Sequence, residues 1–202
     1  MDRLSRRRHW IFDLDGTLTI KTQDFHQLRR QLGMPEGAPV LEWIVTRPEE
    51  EAARLLAEVA AWEGMHAARA RPAPGAKGLL AQLQRRGCRL GILTRNRRDL
   101  ALTTLAGCAL VEYFDADDVL GRDEAEAKPS PEGLLRLLHR WRAAPEDAVM
   151  VGDYLHDMAA GRAARVATVL VAPARPAGWP TDLVVADLEV LAAALGAQPA
   201  KV

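Results

Sequence analysis

Trp10-Ile11-Phe12-Asp13-Leu14-Asp15-Gly16-Thr17 runs three apolar residues straight into two carboxylates and a glycine. A short apolar run ending in a Gly-containing turn reads as a buried strand. Comparable runs recur at Leu90-Gly91-Ile92-Leu93, Ala148-Val149-Met150-Val151, Ala167-Thr168-Val169-Leu170-Val171 and Leu183-Val184-Val185. None alternates with polar residues, as expected of parallel strands covered on both faces. Helical patterns separate them at residues 77–86, 98–105, 131–141 and 156–164. Alternating strands and helices predict a doubly wound α/β domain.

The rhythm breaks between about residues 18 and 71. Phe25, Leu28 and Leu32 fall at helical spacing, and a turn region follows from Gly33 to Pro39. Thr46-Arg47-Pro48-Glu49 has the pattern of a capping box with Pro in the first turn. The helix it opens is expected to bury Ala52, Leu55, Leu56 and Val59 on one face. Pro72-Ala73-Pro74-Gly75 then forms a stiff linker. Residues 1–17 and 75–202 are therefore expected to form the core, with 18–74 a small helical insertion after the first strand.

With 202 residues, the chain has room for one such domain and its insertion. Lys plus Arg and Asp plus Glu each total 27. Zero net charge argues against nucleic acid as a partner, because displacing counterions from phosphates needs excess positive charge. Cys88 and Cys108 allow one disulfide at most and show no metal-ligand spacing. The first eight residues lack a signal peptide's apolar run, and no stretch approaches the roughly 20 apolar residues of a membrane span. A cytoplasmic protein with no membrane partner is expected. Arg6-Arg7-Arg8 reads as a solvated flank, Trp43 and Trp62 as packing residues, and His156 as a surface helix position.

Four polar clusters follow strands or open helices, and ligands of open α/β sheets bind beyond the carboxyl ends of strands. In the first, Asp13 can attack phosphorus, and Asp15 can protonate the departing oxygen and later activate water. Gly16 permits the sharp turn. In the second, Leu93-Thr94-Arg95-Asn96, a hydroxyl and free amides can hold phosphate oxygens. In the third, Lys128 can neutralise both a nucleophilic carboxylate and a phosphoryl group. In the fourth, Gly152-Asp153-Tyr154-Leu155-His156-Asp157, two carboxylates four residues apart share a face at a helix start. With Asp13 they suit Mg²⁺, which prefers oxygen ligands. Each cluster alone has a plainer reading: an acidic turn, a polar loop, a solvated lysine, an N-capping aspartate. Together, in this order and context, those readings become untenable.

The combination resembles the haloacid dehalogenase superfamily of hydrolases over nearly the whole chain, most specifically at DLDGT (Asp13–Thr17) and GDYLHD (Gly152–Asp157). The resemblance is to its phosphoglycolate phosphatase-like branch. It implies a Rossmann-like core, Asp13 as nucleophile, and Asp15 as acid/base with its backbone carbonyl on Mg²⁺. Thr94 and Arg95, with Asn96, would hold phosphate, and Lys128 would screen charge. Asp153 would ligate the metal, and Asp157 would support the metal shell through water. Asp15 separates the chain from dehalogenases, which lack that second aspartate. Lys21, close to the first motif, is a poor match for the Schiff-base lysine of phosphonate-cleaving relatives. The expected activity is hydrolysis of small phosphate monoesters; a phosphomutase and a silent HAD-like binding domain are the alternatives. The insertion is shorter than the larger helical caps of that branch. It carries seven basic and eight acidic side chains, which predicts monophosphates rather than polyanions as substrates. Arg47, Arg69 and Arg71 are the insertion's candidates for holding a carboxylate.

Overall fold

The computed structural model describes residues 2–21 and 24–196; residue 1 and residues 197–202 of the expected core, and 22–23 of the insertion, lie outside that range. Among the described residues one sheet contains β1 (His9–Phe12), β2 (Arg89–Leu93), β3 (Val119–Leu120), β4 (Ala148–Gly152), β5 (Ala167–Val171) and β6 (Leu183–Val185). Its order is β3-β2-β1-β4-β5-β6, with every pair parallel. This is the doubly wound, Rossmann-like arrangement expected, and β1 lies inside it with β2 and β4 as neighbours.

Period-two alternation sorts each strand's side chains between two cores. Trp10, Phe12, Val149 and Val151 enter one cluster with Leu79, Leu80, Leu83, Leu105, Leu188 and Leu191. These leucines come from α5 (Ala76–Arg85), α6 (Arg98–Gly107) and α9 (Leu188–Gly196). Ile11 and Met150 enter the other, against α7 (Glu132–Trp141) and α8 (Leu155–Ala163). A four-residue α1 (Asp2–Ser5) precedes the sheet. Its neighbour Arg7 departs from the solvated flank expected. Its Nη1 donates to the Ala148 carbonyl at 2.7 Å, where the chain runs beside the start of β4 and the Arg8 N–H donates to the Asp147 carbonyl at 3.1 Å.

Between β1 and α5 lie α2 (Phe25–Gln31), α3 (Val40–Ile44) and α4 (Glu49–Arg69). Leu28, Leu32, Met34, Ile44, Leu55 and Val59 give these helices an apolar cluster of their own. Two expectations fail here. Thr46 does not cap α4: Pro48 occupies the cap position without a side-chain bond, and the Thr46 hydroxyl donates back to the Trp43 carbonyl at 2.8 Å. Leu56 is 42% exposed while Leu55 is 1% exposed, since only the Leu55–Val59 stripe faces α2 and α3. The chain's entry to and exit from this region are tied together. Ile20 N–H donates to the Arg71 carbonyl at 2.9 Å and Ala73 N–H to the Leu18 carbonyl at 2.8 Å. No described helix is long and apolar enough to cross a membrane.

Candidate active site

Register brings the clusters together. Phe12 lies opposite Ile92 of β2 and Val151 of β4. One residue further on, Asp13 is level with the last residues of both neighbours, and its N–H donates to the Val151 carbonyl at 2.9 Å. Thr94 and Asp153 therefore leave the sheet on either side of Asp13, in the crevice where open α/β sheets bind ligands.

Lys128 comes to this point from the segment between β3 and α7. Its Nζ lies 2.6 Å from Asp13 Oδ1 and 2.6 Å from Asp157 Oδ1, and all three side chains are buried. Burial pushes the Asp13 carboxyl up to about 6, against the pull of the Lys128 cation. Burial disfavours the Lys128 ammonium, but the charges of Asp13 and Asp157 outweigh it and raise its pKa. Burial, and then the Asp13 charge, raise Asp153.

Asp153 and Asp157 do not share a helix face as spacing suggested. Tyr154 adopts an extended cap conformation, which leaves Asp153 outside α8, and the Asp157 carboxylate folds back to accept the Tyr154 N–H at 3.0 Å. They still converge: one ligand oxygen each from Asp13, Asp153 and Asp157 lie within 4.8 Å of one another. Two glycines make that approach possible. A Cβ on Gly16, whose φ is +98°, would sit 2.5 Å from Asp153 Oδ2, and one on Gly152 would sit 2.4 Å from the Asp157 side chain.

This donor set fits a hard divalent cation. Three carboxylates face a single buried lysine, and the excess negative charge and all-oxygen donors match what Mg²⁺ selects. Asp157 has one oxygen on Lys128 and the other on the Tyr154 amide, so it suits an outer position better than a direct one. The Asp15 side chain stands outside the trio. It is half-buried on the turn whose Gly16 N–H bonds to the Thr19 carbonyl, and its charge raises the pKa of the Cys108 thiol, behind the larger effect of burial.

On the other side, Thr94 is buried, and its Oγ1 accepts the Asn96 N–H at 3.0 Å. The Asn96 side-chain oxygen accepts the Arg97 N–H at 2.8 Å, so that oxygen shapes the loop. Arg95 extends to His156, with Nη1 3.2 Å from Nδ1. His156 is thus half-buried at the site rim rather than a plain surface residue. Burial, then the Arg95 and Lys128 charges, lower its pKa. Tyr154 continues the rim, with its ring edge-on to both His156 and Trp179.

Sequence reasoning missed how the helical region meets this loop. Arg122, whose N–H donates to the Asn96 carbonyl at 2.9 Å, makes a two-pronged pair with Glu63 of α4 at 2.7 and 3.1 Å. The partners are 59 residues apart, and no spacing rule links them. Arg47, one of the three arginines expected as candidates for holding a carboxylate, lies over the Trp43 ring at 4.5 Å.

Comparison with known proteins finds relatives along most of the chain. A phosphoglycolate phosphatase of Cupriavidus necator is 30% identical over 212 residues, covering 92% of this chain and 91% of that protein. One from Rhodospirillum rubrum is 34% identical over 189 residues, covering 80% and 78%. The solved structure of a predicted phosphoglycolate phosphatase from Haemophilus somnus matches the fold with a TM-score of 0.77 at 20% identity, covering 94% of this chain and 98% of that one. A family model for haloacid dehalogenase-like hydrolases matches residues 8–165, and the chain belongs to that family.

Proposed function

We propose that the chain is a cytoplasmic, Mg²⁺-dependent phosphatase of small organic phosphate monoesters, working through a phospho-aspartate on Asp13. The observation that carries this reading is the buried Lys128 held 2.6 Å from both Asp13 and Asp157, beside the carboxylate trio at the strand ends. Relatives named as phosphoglycolate phosphatases support a phosphoglycolate-like substrate.

An ionised Asp13 oxygen attacks phosphorus as the ester P–O bond breaks. Asp15 gives its proton to the departing alkoxide, then takes one from the water that attacks the phospho-aspartate and releases inorganic phosphate. The Thr94 hydroxyl and Arg95 amide orient the phosphoryl oxygens, and Lys128 keeps Asp13 aligned and offsets charge in a site shielded from water. Asp13, Asp153 and the Asp15 carbonyl, with Asp157 outside them, would hold Mg²⁺, which would supply positive charge to offset that of the transferring phosphoryl group. Residues 18–74 serve as the cap over this site.

The test is phosphate release from p-nitrophenyl phosphate with Mg²⁺ and with EDTA, followed by single-turnover phosphorylation of Asp15→Asn. Metal-dependent release is expected. Loss in the variant should be far greater for alkyl phosphates than for nitrophenyl phosphate, whose leaving group needs little protonation. Metal-independent turnover, or equal loss for both esters, would contradict the assignment.

A further inference from the structure

Most arginines around the site already have a carboxylate partner. Arg97 pairs with Asp99 at 2.7 Å, Arg98 with Asp117 at 3.4 Å and Arg122 with Glu63 at 2.7 Å. Arg95 has none within ion-pair distance among the described residues; its Nη1 meets only the His156 ring, at 3.2 Å. A guanidinium has no acceptor, so His156 Nδ1 must supply the lone pair, which fixes one edge of the group and leaves its charge uncompensated. The remaining N–H groups keep the planar fork that matches a carboxylate.

The exposed Arg95 side chain reaches His156, the residue before Asp157 of the carboxylate trio, so its charge stands at the rim of the crevice that holds Asp13 and Thr94. We propose that the Arg95 side chain, steadied by His156, is a subsite for one carboxylate on the leaving group. Its substrates are then phosphate monoesters of short hydroxy acids rather than of neutral alcohols. This rests on the phosphatase reading above and adds a specificity residue from the core, where the sequence had pointed to arginines of the insertion. A second phosphate is poorly served. Lys21 is already 3.8 Å from Asp153, and the insertion has no positive excess.

A plainer role for Arg95, extra charge on the phosphate itself, makes a different prediction, and the experiment separates the two. In Mg²⁺ buffer, kcat/KM is measured for the phosphate ester of a two-carbon hydroxy acid and for its counterpart with CH₂OH in place of the carboxylate. A sugar bisphosphate is the third substrate. The readout is the ratio between the first two, not the absolute rate. Wild type should favour the carboxylate ester by about tenfold or more, the size of effect of a charged hydrogen-bonded pair. Arg95→Gln should bring the ratio close to one, Arg95→Lys should restore part of it, and His156→Leu should lower it through KM. A wild-type ratio near one, equal losses on both esters in Arg95→Gln, or a preference for the bisphosphate would overturn the subsite. Failure to release phosphate from any ester, nitrophenyl phosphate included, would instead remove the phosphatase reading beneath it.

Discussion

At the ends of β1 and β4, charge is buried and held by backbone register; in α2–α4, a small apolar cluster is held to the core by few polar ties. Asp13, Lys128 and Asp157 are all buried, and the one lysine compensates both carboxylates, which repel each other. The helical region has six buried apolar side chains of its own, a pair of strand-like linkers, the packing of α4 on α6, and the Glu63–Arg122 pair. The first region can hardly vary without losing its chemistry. The second can change shape at modest cost, which suits the cap role proposed for it.

The largest effect should come from Asp13→Asn. An amide cannot attack phosphorus, so steady-state turnover should fall by about a thousandfold or more while circular dichroism stays native. Near-normal activity in a folded variant would show that the buried trio is not the reacting centre. Lys128→Met leaves two buried carboxylates uncompensated, and about 3–5 kcal/mol of stability should be lost in urea denaturation along with activity. Unchanged stability would mean that the carboxylates are less dry than their burial implies.

Leu55→Ala opens the small cluster of the helical region, and a loss of about 2–5 kcal/mol is expected from buried leucine truncations. If that region unfolds separately, the loss will appear as a second transition rather than a shift of the first. Glu63→Ala should take about 1–2 kcal/mol and affect KM more than kcat, because it frees α4 from the Asn96 loop without touching the carboxylates. An equal fall in kcat would tie the pair to chemistry instead. Leu56→Ser, one residue from Leu55 but facing solvent, should change the melting midpoint by the equivalent of under about 0.5 kcal/mol. A larger loss would place a partner surface over it.

Long, well-patterned segments were legible. β1, β2, β4, β5 and β6 and the helices between them follow from apolar runs and helical spacing. Short elements were not: β3 has two residues and α3 five, below the length at which periodicity is visible. Adjacent Leu55 and Leu56 carry equal hydrophobicity, so only the packing of α4 on its neighbours could say which one is buried. Thr46 had the right pattern for a cap, but Pro48 begins the helix and the hydroxyl finds a nearer acceptor behind it.

The chain's order of residues determined the strands, the types of chemical group at their ends and the order in which they come. Those are local properties, set by side-chain polarity and backbone preference within a few positions. Tertiary structure alone decided that Lys128 sits between Asp13 and Asp157, that Arg122 clasps Glu63, and that Arg95 meets a histidine 61 residues away rather than a carboxylate. Such pairings depend on strand register and helix docking, which bring together groups whose separation along the chain carries no signal.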